Sequence, residues 1–566
     1  MRYLPVLFLL ICGCTRGADY DLIIRGGTVY DGTGTAPYIA DVALIADTIA
    51  AVGDLADTRG AEEINAEGLA VAPGFINMLS WATESLIIDG RSLSDLSQGV
   101  TLEVFGEGVS NGPLNARMKE ELWDLFVAQA GSEEEAATLL GGRQIPWTTL
   151  DEYLSFLESK GVSTNVASLI GAATVRQHVI GEDDRAPSAE ELVRMKDLVR
   201  EAMAEGALGV GSSLIYVPGV FASTDELTAL ASAAGEFNGV YTSHLRSEGG
   251  RLLESVEELI QIARDAGVRG HIYHLKAAGR NNWHKMETVI ERVNEVRSEG
   301  LEITADVYTY VAGATGLDAA MPPYVRAGGM MAWRARLQDP TVRARMETEM
   351  MTPSDDWENL MLEAGPENVM LIGFRNKALR RYMGMRLTEV ADLRGTSVPA
   401  AAMDLVIEDT SRVGAVYFLM DESNVHLKLR QPWVAIDSDA ASLAPEGVSL
   451  NNMVHPRAYG SFARLLAKYV REEQVLTLEE AVRRMTSLPA SVLSIDRRGL
   501  IQRGYFGDIA VFDPSTIQDH ATFEAPHQLA TGMRYVFVNG TQVLNNGKHT
   551  GAMPGRVVRR SSSSSQ

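Results

Sequence analysis

Gly239-Val-Tyr-Thr-Ser-His244 is a short run of β-branched, aromatic and small residues that ends on an imidazole. Two further runs share the form, His271-Ile-Tyr-His274-Leu-Lys276 and Trp433-Val-Ala-Ile-Asp-Ser-Asp439. Their composition predicts β-strands, and helix-like stretches separate them. In a parallel α/β barrel, polar residues at strand C-termini converge on one mouth, so distant residues can form one site. Two imidazoles and a carboxylate delivered that way point to a metal-assisted hydrolase. One such histidine alone reads as a hydrogen-bonded core residue. Three strand ends together favour a site.

Working outward, the middle of the chain alternates strands with amphipathic segments such as Ser188-Ala-Glu-Glu-Leu-Val-Arg-Met-Lys-Asp-Leu-Val199. Leu227 to Ala234, Leu252 to Arg264 and Lys285 to Arg297 supply more. Such alternation predicts a parallel sheet over residues 71–493. The Gly/Met-rich stretch at about 318–352 breaks the rhythm and reads as a lid over the mouth. Tyr20 to Tyr30, Asp41 to Ile45 and Ile49 to Gly53 read as short strands with glycine turns, and Gly507 to Pro514 and Arg534 to Gly540 repeat the pattern. These ends predict a small β-domain built from 18–70 and 494–558. Ser561 to Gln566 is low-complexity, and 559–566 reads as a disordered tail.

At 566 residues the chain exceeds one ordinary core, which agrees with a large domain plus a small one. Its 46% hydrophobic and 22% charged content is that of a globular protein. An excess of 74 acidic over 51 basic side chains gives a formal charge of -23. That balance argues against nucleic acid as a partner, since phosphate binding depends on Lys and Arg. Both cysteines, Cys12 and Cys14, lie near the N-terminus, so the body has neither a disulfide nor a thiolate ligand. Met1-Arg2 followed by the apolar run Leu4 to Ile11 has the form of a cleaved export signal over residues 1–17. Ile11-Cys12-Gly13-Cys14 resembles a bacterial lipobox. That resemblance implies lipidation at Cys14, a membrane tether, and a periplasmic or membrane-anchored location.

Longer motifs carry a family resemblance. Asp21-Leu-Ile-Ile-Arg-Gly-Gly-Thr-Val-Tyr-Asp-Gly32, Val71-Ala-Pro-Gly-Phe-Ile76 and Gly504-Tyr-Phe-Gly-Asp508 resemble the amidohydrolase superfamily. Tyr241 to Gly249, His271 to Gly279, Thr304-Ala-Asp-Val-Tyr308, Ser438-Asp439 and His455-Pro-Arg457 are similar to its D-aminoacylase branch. The resemblance implies a TIM-type (β/α)8 barrel with a small β-sandwich domain, and hydrolysis of N-acyl-D-amino acids at zinc. By position it makes His244 and His274 metal ligands and Asp439 the catalytic aspartate. It gives Lys276, Tyr308 and Arg457 to the substrate carboxylate.

Two departures stand out. The superfamily's His-x-His after the first barrel strand is replaced by Asn77-Met78-Leu79-Ser80-Trp81, and the bridging cysteine of the branch is absent from Gly99 to Gly108. Glu107 is the obvious substitute ligand, with Glu103 its rival four positions earlier. Glu107, His244 and His274 would leave one open position, which predicts one zinc per chain. Strand parity puts His274 and Lys276 on one face and His271 on the other. Asp439 fits the general base of a metal-activated water, with Asp437 competing. Lys276 reads as a charge clamp, or else as a partner of Glu107 or Asp439. Arg457 offers a planar fork for a carboxylate. Ala314 stands where the branch has a serine in the carboxylate pocket. His178, His284 and His455 read as structural or surface residues. Hydrolysis of a dipeptide or cyclic amide, and an inactive ligand-binding barrel, are the alternative readings.

Overall fold

The computed structural model describes residues 17–560. The export signal with Cys14 and the six-residue terminal stretch 561–566 lie outside the described residues, apart from Gly17. Among the described residues no helix is long and apolar enough to cross a membrane.

Eight strands form a parallel barrel, in the order Phe75–Asn77, Val100–Phe105, Asn165–Ser168 with Ile170–Gly171, Gly209–Ser213, Val240–His244, Arg269–Ile272, Ile303–Val307 and Val434–Ile436. Each neighbouring pair runs parallel, as βα units require. Closure between the first and eighth strands uses a parallel bridge of Ser80 with Ala440. The Asp439 N–H donates to Leu79 O at 3.0 Å and the Trp81 N–H to Ala440 O at 2.9 Å. Helices cover the outside. Leu252–Ala266 shows why: Leu252, Val256, Leu259, Ile260 and Ala263 recur at helical spacing and are buried against the barrel. Ala189–Ala204 opens with a capping box between Ser188 and Glu191, which satisfies two orphan backbone donors.

The chain's two ends combine in one nine-stranded sheet, in which Ala70–Pro73 pairs antiparallel with Ile509–Phe512. Ala70–Pro73 therefore belongs to this sheet, and the passage to the barrel falls at Gly74 instead of at 70/71. A separate core unites both ends through Ile24, Val42, Leu44, Val71, Ile509 and Phe537.

Between the seventh and eighth barrel strands, residues 308–420 form an insertion with its own core, including Trp333, Leu337, Met346, Met361, Leu405 and Tyr417, while Val425, Leu429 and Trp433 return to the barrel core. Its sheet is antiparallel, with Gly414–Tyr417 between Gly313–Gly316 and Val369–Gly373. The segment expected as a lid at 318–352 folds inside this larger body, with helices at Gly329–Gln338 and Pro340–Glu349.

Candidate active site

At the C-terminal end of the second barrel strand, Gly106-Glu107-Gly108 turns inward. Both glycines have positive φ, 110° and 70°. A Cβ at Gly106 would lie 2.4 Å from Leu169 O, and one at Gly108 2.4 Å from the Ser213 Cβ. Glycine is required on both sides for Glu107 to sit this close to the neighbouring strands. His244 ends the fifth strand. His274 follows the sixth, which stops at Ile272.

That early stop corrects the parity argument. His274 has a φ of 36°, a left-handed conformation uncommon for a non-glycine residue. Its N–H is bound by Asp306 Oδ1. The turn, not strand alternation, separates the histidines. His271 lies within the barrel, with Nδ1 2.7 Å from Thr304 Oγ1 and Nε2 3.1 Å from Asp306 Oδ2.

Glu107 Oε1, His244 Nδ1 and His274 Nε2 stand 3.0 Å from one another, and all three side chains are buried. Three donors around a tetrahedral zinc at its usual bond lengths lie ~3.3 Å apart, so a divalent ion fits with a few tenths of an ångström of relaxation. Charge points the same way. Burial and Lys276 disfavour a charged imidazole at His274, yet Glu248, Glu107 and Asp439 outweigh them and push it up to about 10. Burial likewise opposes the Glu107 carboxylate, and His274 with His244 draws it down to about 2. The cluster thus calls for positive charge, which a metal ion would supply.

Glu248 was not singled out from the sequence, although it lies within the Tyr241 to Gly249 motif. Its Oε1 is 3.1 Å from His274 Nδ1 and 2.6 Å from Lys276 Nζ. Lys276 Nζ also lies 2.6 Å from His274 Nδ1, so Glu248 and Lys276 together hold the imidazole in its orientation. Lys276 therefore pairs with Glu248, and neither Glu107 nor Asp439 is its partner.

Asp439 follows the eighth strand with a φ of 44°. Its Oδ1 accepts from Trp81 Nε1 at 3.0 Å, and its Oδ2 lies 2.7 Å from Arg457 Nη1. Burial raises its pKa, while Arg457, His274 and Lys276 work in the opposite direction. Asp437 is fully buried and outside the cavity; burial and Asp306 push it well up. Asp439, not Asp437, reaches the mouth. Glu103 is also remote from the histidines. It accepts from Ser80 Oγ and Thr164 Oγ1, both at 2.8 Å, inside the barrel.

These groups open on a cavity of about 560 Å³ that also includes Trp81, Tyr308 and His455 in its walls. Tyr308 underlies Arg457, whose Cζ is 4.6 Å from the ring centroid. Arg457 expected a free carboxylate slot; instead it is paired with Asp439, and its Nη2 also donates to Ala314 O at 3.3 Å. Among the described residues its Nε has no hydrogen-bond partner. His455 is buried; its ring contacts Ala312 O at 2.9 Å, and its Nδ1 accepts the Arg457 N–H at 3.0 Å. His178 is half-buried and His284 exposed, both outside the cavity wall. Another wall carries Arg326 and Arg412, which share the buried Asp318. No sequence pattern marked that pair, because its members are remote in the chain.

A family profile described as "Amidohydrolase family" matches residues 450–544. The chain is 31% identical to the D-aminoacylase of Alcaligenes xylosoxydans xylosoxydans, over 96% of this chain and 98% of that relative. A solved D-aminoacylase, described for its binuclear metal centre with one-metal activation and second-metal attenuation, is 30% identical. It superposes with a TM-score of 0.76 over 96% of this chain and 100% of the other. The N-acyl-D-glutamate deacylase of Bordetella bronchiseptica, solved with zinc and a phosphonate mimic of the tetrahedral intermediate, is 29% identical. Its TM-score is 0.76, over 95% of this chain and 99% of the other.

Proposed function

Because this chain belongs to the amidohydrolases, in their D-aminoacylase branch, we propose that it cleaves the acyl amide of N-acyl-D-amino acids with Asp439 as general base. The enzyme is a hydrolase that acts on N-acyl amino acids. We assign Glu107, His244 and His274 as the ligands of one zinc. The observation that carries this reading is their mutual 3.0 Å spacing on the wall of the cavity that also holds Asp439. When bound, the ion supplies Lewis acidity towards the scissile carbonyl and the attacking water. Leu79 and Trp81 offer no ligand atoms where a second metal would use a His-x-His pair, which supports a single tight site.

Asp439 accepts the proton of the attacking water at a carboxylate oxygen and returns it to the leaving amine, one group serving as base and then acid. Glu248 holds His274 and Lys276 in place. Arg457, through its unpartnered Nε, binds the substrate carboxylate together with Lys276 and Tyr308. Selection of the D enantiomer follows when the acyl carbonyl, carboxylate and side chain each have a fixed place. The L form then lifts the carboxylate from its clamp, at a cost consistent with a preference of roughly a thousandfold.

Hydrolysis of matched N-acetyl-D- and N-acetyl-L-amino acids by zinc-loaded protein tests this reading. The D series is expected to be cleaved selectively, and Arg457→Lys to slow it, because one ammonium cannot serve Asp439, Ala314 O and the substrate from separate N–H groups in one plane. Equal rates on both enantiomers would remove the D-specific reading. Export, with lipid attachment at Cys14, is part of the proposal and rests on Met1 to Thr15. Fatty-acid labelling that persists in Cys14→Ser would exclude the attachment point.

A further inference from the structure

The two carboxylate oxygens of Asp439 meet different neighbours, Trp81 at one and Arg457 at the other. The backbone on both sides is fixed first. Asp439 N–H to Leu79 O at 3.0 Å and Trp81 N–H to Ala440 O at 2.9 Å lace the end of the first strand to that of the eighth. From this clamped backbone the half-buried indole extends along the cavity wall, and its Nε1 reaches Asp439 Oδ1 at 3.0 Å. Arg457 Nη1 stands at the other oxygen, 2.7 Å away.

An indole N–H only donates, and an ionised carboxylate only accepts, so the contact has one polarity. Each carboxylate oxygen retains a second lone-pair direction for the proton of the attacking water. The indole is also neutral. It orients the carboxylate without adding a second full positive charge beside Arg457, which would hold the aspartate in its ionised form more strongly and weaken it as a base. Asp439 lies in the left-handed backbone region, a conformation that persists in a non-glycine residue only where its surroundings specify it.

We propose that Trp81 is a positioning residue for the reaction, its indole N–H setting the rotation of the Asp439 carboxylate. This rests on Asp439 being the general base. The simpler role, an indole that has found an acceptor while filling space, makes a different prediction. A space-filling ring acts on folding and metal content; a positioning donor acts on turnover through Asp439 alone.

The test is a double-mutant cycle in zinc-loaded enzyme. Trp81→Phe keeps a ring and removes the donor. It is expected to lower kcat for an N-acetyl-D-amino acid roughly 10- to 100-fold, the range for a hydrogen bond to a charged group. KM, zinc content and thermal midpoint are expected to stay close to wild type. In an Asp439→Ala background the same substitution is expected to have no further effect on kcat, since coupled residues are non-additive. If Trp81→Phe does not fold, benzothienylalanine at position 81 keeps the bicyclic shape and lacks only the N–H. Unchanged kcat, loss of zinc, or the same loss of turnover in the Asp439→Ala background would overturn the assignment. An Asp439→Ala enzyme with wild-type turnover would instead overturn the general-base reading, and this inference with it.

Discussion

Glu103 and Glu107 are four residues apart at the end of one barrel strand, both almost wholly buried, and their environments drive them in opposite directions. Burial and the neighbouring Asp95 push Glu103 up to about 8, despite hydroxyl donors from Ser80 and Thr164. Glu107 suffers the same burial, yet two imidazoles draw it down to about 2. The histidines divide along the same line. His274 meets Glu107 and Glu248 at the mouth, whereas His271 sits lower, between Thr304 and Asp306. Residue type and burial therefore do not identify the site. What distinguishes it is a charge arrangement that needs a cation, opening on a cavity.

The strongest way to break that contrast is to remove one member from each region. Glu107→Ala, His244→Ala or His274→Ala is expected to lose tightly bound zinc and to bring turnover to background. Glu103→Gln and His271→Ala are expected to keep about one zinc per chain. Elemental analysis of the purified variants decides it. Zinc loss in Glu103→Gln with retention in Glu107→Ala would reverse the assignment of the two regions.

A smaller effect separates the two aspartates after the eighth strand. Asp439→Asn is expected to retain zinc and lower kcat by roughly 10²–10⁴, the ordinary contribution of a general base. Asp437→Asn is expected to stay within a few-fold, because that carboxyl is enclosed beside Asp306 and is absent from the cavity wall. The pH profile sharpens the comparison. Burial raises the pKa of Asp439, and the base must be ionised. Turnover is therefore expected to fall, as pH decreases, through a value above the usual aspartate range. An acid limb at the ordinary aspartate value, or greater loss in Asp437→Asn, would move the role elsewhere.

Much of this arrangement was legible because strand-end residues are local to their motifs. His244, His274 and Asp439 close apolar runs, and barrel topology brings such ends together whatever their separation in sequence. The alternating middle announced a parallel sheet and the strand-rich ends a small β-domain, while closure of the sheet into a barrel came from the family resemblance. The left-handed turns at His274 and Asp439 were not legible, because neither position carries the glycine that would announce positive φ. Parity separated His271 from His274 and Lys276 as the structure does, though by a turn after Ile272 and not by strand alternation, and it left Asp437 as a rival to Asp439 that burial removes from the cavity wall. Pairings were equally hidden: Lys276 with Glu248 and Arg457 with Asp439 depend on side-chain directions that no spacing encodes. Trp81 was visible only as a missing histidine, and its donor function required the eighth strand beside it.

The last expected effect concerns the interior carboxylates and stability. Glu103 is raised from an ordinary 4.5 to about 8 in the folded protein. The folded state therefore keeps a proton that the unfolded chain releases above pH 4.5. Its contribution is fully present below that value, declines as pH rises, and is lost through about 8. Asp95, raised by burial from 3.8 to about 6, has the same sign over a lower window. Glu103→Gln removes one titration while retaining an oxygen for Ser80 and Thr164. Near pH 5 the variant and wild type are expected to melt together. Near pH 8.5 the variant is expected to be the more stable, by up to several kcal/mol, since each unit of difference between the folded and unfolded values is worth about 1.4 kcal/mol. Denaturant melts of both proteins at the two pH values provide the measurement. A difference that does not change with pH would mean that Glu103 is ionised within the barrel, and the contrast with Glu107 would have to rest on metal binding alone.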